Sequence, residues 1–181
     1  MHELWKYIIT QLDIVPKTVY LGLSALFCIG TIVLLAVNRK KAVRSIVWLL
    51  FFEFVFLVLG MTFFFRHTGI KAMVYPPLWS YVSVWRDENM TVLYEIILNV
   101  VLFVPLGFLW GIQSSKWPRK WQWFSAMILG VYLSGIIELL QYIFKKGCVE
   151  VDDVIHNTLG CLIGYFLWRG CAKLFRELIL S

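Results

Sequence analysis

A chain of 181 residues that is 60% hydrophobic and 15% charged, with a mean hydropathy of +0.76, carries more apolar surface than a soluble domain of its size can hide. It reads as an integral membrane protein folded as one compact bundle, and soluble classes are set aside. The net charge of +6 does not point to nucleic acid, because the basic residues fall in short loops between apolar runs, where membrane orientation accounts for them. Cysteines at 28, 148, 161 and 171 form no CxxC pair and indicate neither a disulfide framework nor a zinc site.

Residues 1–17 place Leu4, Trp5, Ile8, Ile9 and Leu12 at helical spacing. This predicts a short amphipathic N-terminal helix that lies along an interface or caps the bundle. A basic start, apolar core and small-residue cleavage site do not follow one another here, so no cleaved signal peptide is read. Residues 18–37 are about twenty apolar residues, roughly 30 Å as helix and long enough to span a bilayer. The second span is 45–65, interrupted by Glu53. The third is 91–112, with Glu95, Asn99 and Pro105, and the fourth is 123–144, with Glu138 and Gln141. The fifth, 154–168, is short unless it continues into the amphipathic tail 169–180. The predicted fold is therefore all-α, a bundle of about five transmembrane helices over residues 18–181.

Arg39, Lys40, Lys41 and Arg44, then Lys116, Arg119 and Lys120, then Arg169, Lys173 and Arg176 all fall on one side of such a bundle. The positive-inside rule makes that side cytoplasmic, with the N-terminus outside and the C-terminus inside. Trp48, Trp110, Trp117, Trp121, Trp123 and Trp168 then mark the inner boundary and Trp79 and Trp85 the outer one. Within the outer loop 66–90, the stretch 72–85 is too short and too Pro-broken to span. It is expected on the outer surface or as a re-entrant segment.

In that orientation Glu95, Asn99, Glu138 and Gln141 lie in the outer halves of their spans. Glu150, Asp152 and Asp153 form an outer turn, and Asn157 stands one helical turn below it. At 100° per residue Asp153, Asn157, Gly160 and Gly164 share one face within about 60°. Gly130, Ser134, Glu138 and Gln141 share another, which predicts a close-packed hairpin of the last two spans with Gly160 and Gly164 as packing residues. Asp153 also reads as the N-cap of the fifth helix. Asn99, Gln141 and Asn157 also read as interhelical hydrogen-bond partners, and His156 as interfacial. An ionised Glu138 at mid-depth would cost on the order of 2.5–3.5 kcal/mol. A hydrogen-bonded, protonated or wet setting, and hence a function, is expected for it.

No GxSxG, SxxK, HExxH or Walker pattern is present. Asp152, Asp153, His156 and Glu138 match no metal motif, and neither a metal nor another cofactor is expected. Glu138 with Asp153, or with Lys146, can be drawn as an acid–base pair without identifying a substrate.

Two blocks carry a family resemblance. Asn99-Val-Val-Leu-Phe103-Val-Pro105-Leu-Gly107 resembles an Asn-x-x-x-Phe-x-Pro-x-Gly pattern. Glu138-Leu-Leu-Gln141, with Glu150-x-x-Asp153-x-x-x-Asn157-Thr158-x-Gly160, resembles a Glu-x-x-Gln and acidic-turn block. Together they resemble the VanZ-like family of bacterial membrane proteins over about seventy residues, 92–165. Relatives often carry Arg in the turn, where this chain has Cys148 with Lys145 and Lys146 nearby. The resemblance implies a bacterial cytoplasmic-membrane protein, and the family's namesake is associated with low-level teicoplanin resistance.

The leading expectation is a cell-envelope protein with an outer-leaflet polar pocket that binds an envelope component, a lipid-linked precursor or a glycopeptide. Glu138, Asn99 and Asn157 would line the pocket, with Gln141 and Asp153 at its mouth. An intramembrane hydrolase or transferase using Glu138 and Asp153, and a purely structural membrane protein, remain open. A transporter is less favoured because no half of the chain repeats.

Overall fold

The computed structural model describes residues 6, 9–10, 16–37, 39–66 and 73–180, with side chains except those of 31, 33–42 and 173–180. The expected N-terminal amphipathic helix falls largely outside the described residues, and so do the side chains of Arg39, Lys40, Lys41, Lys173 and Arg176. Among the described residues five long helices follow one another: α1 (Lys17–Val37), α2 (Arg39–Leu59), α4 (Met90–Gln113), α5 (Arg119–Phe144) and α6 (Val151–Leu180). A short helix α3 (Trp79–Arg86) and two three-residue strands, β1 (Met73–Tyr75) and β2 (Cys148–Glu150), complete the order. Among the described residues three stretches, Val43–Phe64, Met90–Lys116 and Arg119–Phe144, are long and apolar enough to cross a membrane, and Lys17–Gly30 is a shorter apolar helix.

The helix ends follow from local chemistry. The side chain of Asn89 accepts hydrogen bonds from Thr91 N (3.1 Å) and Val92 N (3.4 Å) and so caps the start of α4. At the end of α5, Lys145 turns left-handed (φ 56°) and Lys146 N bonds back to Gln141 O at 2.9 Å. Between Gly60 and Phe64 the last turn of the second span widens to a π-helix. Pro105 sits inside α4 without ending it. Asp153 is not an N-cap: α6 already begins at Val151, which puts Asp152 and Asp153 in its first turn, where the helix dipole favours acids.

The core is the seam between α4 and α6. A Cβ on Gly160 would overlap the carbonyl of Val100, one on Gly164 that of Val104, and one on Gly107 that of Cys161. Small residues on both helices bring the two backbones into contact. The last two spans do pack as the expected hairpin, with a Cβ on Gly130 standing 2.7 Å from Thr158 Cα, but Gly160 and Gly164 face the third span instead of the fourth. Helical phase defines a face but not the helix that meets it.

Phe51, Val58, Phe103, Leu106, Ile137 and Cys161 fill the core at one level, and Val47, Ile112, Ala126, Tyr165, Trp168 and Ala172 at another. Trp168 is buried in the bundle. Phe52, Val101, Tyr132, Leu139 and Phe166 point outward, as lipid-facing side chains do.

The two ends of the bundle differ. At one end Arg44 Nη2 donates to Gln113 O at 2.9 Å while Gln113 Nε2 donates to Arg44 O at 3.0 Å. At the same end Gln122 Nε2 donates to Trp117 O at 2.7 Å. At the other end β1 and β2 pair in parallel, Met73 with Cys148, Val74 with Val149 and Tyr75 with Glu150. That pairing anchors the segment after α2 to the turn between α5 and α6.

Candidate functional site

The acidic turn is held by backbone-directed carboxylates. Glu138, buried on the face of α5 that carries Ser134 and Gln141, accepts a hydrogen bond from Glu150 N at 2.8 Å. This contact spans only twelve residues of sequence and fixes the end of β2 against α5. Asp152, at the start of α6 and 2% exposed, accepts from Leu78 N (2.7 Å), Ser80 N (3.0 Å) and Ser80 Oγ (2.6 Å). Leu78 itself is left-handed (φ 66°), a strained conformation for a leucine that the Asp152 carboxylate holds in place. Burial alone would raise the pKa of Asp152. The three hydrogen bonds outweigh it and hold the carboxyl below its ordinary value.

Next to these supports lies a cavity of about 100 Å³ lined by Arg66, Glu95, Leu98, Asn99, Cys148, Glu150 and Asp153. Glu95 and Asn99 enter from the same face of α4, and Asp153 from the first turn of α6. Asn99 Nδ2 donates to Asp153 Oδ1 at 2.7 Å, which joins the two walls. The wall thus sets one guanidinium against three carboxylates. Burial, then the negative charges of Asp153, Glu95 and Asp152, push the pKa of Glu150 up to about 7, against the pull of Arg66. Burial likewise raises the thiol of Cys148.

The residues named from the sequence divide into two sets. Asn99 and Asp153 line the cavity. Glu138 stands behind its Glu150 wall, close enough for Asp153, Glu150 and Arg66 to act on it electrostatically. Gln141 and Asn157 do not line it. Gln141 Nε2 donates to Thr62 O at 2.8 Å, tying α5 to the π-helical turn after α2. Asn157 Nδ2 donates to Ser134 Oγ at 2.8 Å inside the α5–α6 contact. His156 is buried, with Nε2 2.9 Å from Tyr81 Oη and Nδ1 3.8 Å from Asp153 Oδ1.

Arg66 and the latch made by Asp152 were not singled out from the sequence. Arg66 lies just past an apolar span, where a lone basic residue reads as a boundary marker. Its guanidinium is packed against Gly147, where a Cβ would stand 2.8 Å from Arg66 Nη1 and where the φ of +76° favours glycine. Lys146, in contrast, donates to Phe64 O at 3.1 Å outside the cavity wall. Among the described residues no group of three or more His, Cys, Asp or Glu side chains is placed to hold a metal ion.

The chain is thus a polytopic helical membrane protein with a charged cavity at one end of its bundle. The VanZ/LLP1 family pattern matches residues 51–176, and the chain belongs to that family. It is also 31% identical over 74 residues to Protein VanZ of Enterococcus faecium. That match takes in 41% of this chain and 44% of the relative, so less than half of the relative's length is spanned. No solved structure matches the chain.

Proposed function

We propose that the chain is a VanZ-type cell-envelope protein of the bacterial cytoplasmic membrane whose cavity binds the polar head group of an envelope component or lipid-linked precursor. The N-terminus and the acidic turn face outward in this reading, as the Lys and Arg distribution favours. The observation that carries it is the Asn99–Asp153 bond of 2.7 Å in a wall shared with Arg66, Glu95 and Glu150. Charged groups at a membrane protein's bundle end call for a functional explanation. A volume of about 100 Å³ is well below the roughly 300–1,000 Å³ of sites for drug-sized ligands. It suits one polar moiety, not a whole glycopeptide. Reduced susceptibility to teicoplanin, suggested by the likeness to VanZ, would then arise from an altered envelope component and not from capture of the drug.

The test is expression of wild type, Asn99→Ala and Asp153→Asn in a teicoplanin-susceptible Gram-positive host. Wild type should raise the inhibitory concentration severalfold, and both variants should lose that effect while reaching wild-type levels in the membrane. Unchanged susceptibility with wild type removes the teicoplanin link. Variants that protect as well as wild type remove the pocket.

A second reading, acid–base catalysis, rests on Glu150, whose carboxyl titrates at about 7 beside the cavity. Glu150→Gln keeps the shape and removes the titrating proton. Protection retained by Glu150→Gln removes the catalytic reading.

A further inference from the structure

The short helix α3 is built inside out for a segment in water. Its serines are buried, Ser80 at 1% and Ser83 at 4% exposure, while Trp85 is 91% exposed. Leu78, Tyr81, Val82 and Trp85 are all exposed and fall at i, i+3, i+4 and i+7, a single stripe on the face opposite the serines. Upstream, Met73 and Val74 of β1 are exposed as well, and Met90 follows at the start of α4. An aqueous surface gives no reason to bury hydroxyls under a stripe of aromatic and aliphatic side chains.

The polar face of α3 is not free to turn over. Ser80 gives both its N–H and its Oγ–H to Asp152, Leu78 N gives a third hydrogen bond to the same carboxylate, and Tyr81 Oη meets His156 Nε2 at 2.9 Å. With its serines fixed to the head of α6, α3 has to present the apolar stripe outward.

We propose that the segment Met73–Arg86 is an interfacial strap whose apolar stripe is seated in the head-group region of the bilayer beside the acidic-turn end of the bundle. Three observations favour lipid over a protein partner. Exposed Met90 opens the membrane-spanning α4 only five residues after Trp85. Its composition of Trp, Tyr, Val and Leu is that of membrane-interface elements, whose aromatic rings sit at head-group depth. Arg86, Asp87 and Glu88 follow directly and are exposed, which supplies the polar edge where the chain leaves the interface. Because β1 pairs with β2, and Cys148 and Glu150 of β2 line the cavity, the strap sets the cavity at head-group level. The seat on lipid rests on the membrane-spanning fold and does not depend on what the cavity binds.

The test uses the full chain in phosphatidylglycerol–phosphatidylethanolamine vesicles. Cys28, Cys148 and Cys171 are replaced by Ser, and the fully buried Cys161 is kept. A nitroxide is attached in turn at Val82→Cys, Trp85→Cys and Glu88→Cys. At 82 and 85 collisions with oxygen should exceed those with a water-soluble nickel chelate, and at 88 the order should reverse. The strap is refuted if positions 82 and 85 meet the nickel chelate as freely as position 88 does. A fluorophore on the same cysteines gives a second readout. Lipids brominated near the glycerol end of the chains should quench it at 82 and 85 and not at 88, and equal quenching at all three positions equally refutes the seat.

Discussion

Glu138 Oε2 accepts the backbone N–H of Glu150 at 2.8 Å, so an acid buried in α5 fixes the strand that walls the cavity. Truncation and isosteric replacement at this position therefore have different consequences. Glu138→Ala leaves a partly buried N–H without its partner, at a cost of about 1–3 kcal/mol, whereas Glu138→Gln keeps an acceptor oxygen in place. Thermal unfolding in detergent should show a melting temperature several degrees lower for the alanine variant and close to wild type for the glutamine variant. Equal losses in both would show that the charge, and not the hydrogen bond, matters.

The α4–α6 seam makes a sharp contrast among glycines. Gly164→Ala drives a methyl into the Val104 carbonyl, a backbone atom that cannot move aside, while a Cβ on Gly135 meets nothing within 4 Å. Gly164→Ala should destabilise by at least about 1–3 kcal/mol, and Gly135→Ala should be neutral or stabilising by up to about 1 kcal/mol. The same melting experiment separates them, and equal behaviour would contradict the seam.

Asn157 holds α6 to α5 through Ser134 and lies apart from the cavity wall. Asn157→Ala should cost about 0.6–1.7 kcal/mol, the range for an interhelical hydrogen bond in a membrane protein. It should leave any teicoplanin phenotype in place. Loss of the phenotype at unchanged stability would bring Asn157 into the binding site.

Glu150 makes stability depend on pH. Its carboxyl is raised from 4.5 to about 7 in the folded protein, so the native state holds a proton that the unfolded chain releases earlier. The resulting cost is absent below about 4.5, grows as pH rises, and is complete above about 7. Melting temperature should accordingly fall between these values, and Glu150→Gln should flatten that fall. A wild-type profile that rises over the same window would contradict the burial of this group. Asp152 acts oppositely. Its depressed value adds stability that is present above about 4 and is lost as pH falls further.

The long helices were legible because each is a run of apolar residues at helical length. The third span, read as 91–112, is observed as Met90–Gln113, and the fourth, read as 123–144, as Arg119–Phe144. The differences lie at polar ends, where a helix continues past the lipid-soluble stretch that hydropathy detects. The gathering of Asn99, Asp153 and Glu150 at one end also followed from helical phase and loop order. Three features did not. Strands of three residues are too short to show a period-two pattern, so the β1–β2 pairing was invisible. Arg66 and Asp152 act on partners far off in the chain, Ser80 being 72 residues from Asp152, and no local pattern encodes such a meeting. The partner of the Gly160 and Gly164 face was misassigned because α4, and not the adjacent α5, offers the backbone carbonyls that those glycines admit.

The most direct measurement is the labelling of Cys148, which lines the cavity and is partly exposed. Cys28 and Cys171 are replaced by serine, Cys161 being fully buried, and a membrane-impermeant thiol reagent is applied to intact cells. Cys148 should react in intact cells, which would place the cavity on the outer face where envelope components are found. Reaction only after permeabilisation would put the cavity in the cytoplasm and contradict its assignment to an envelope ligand.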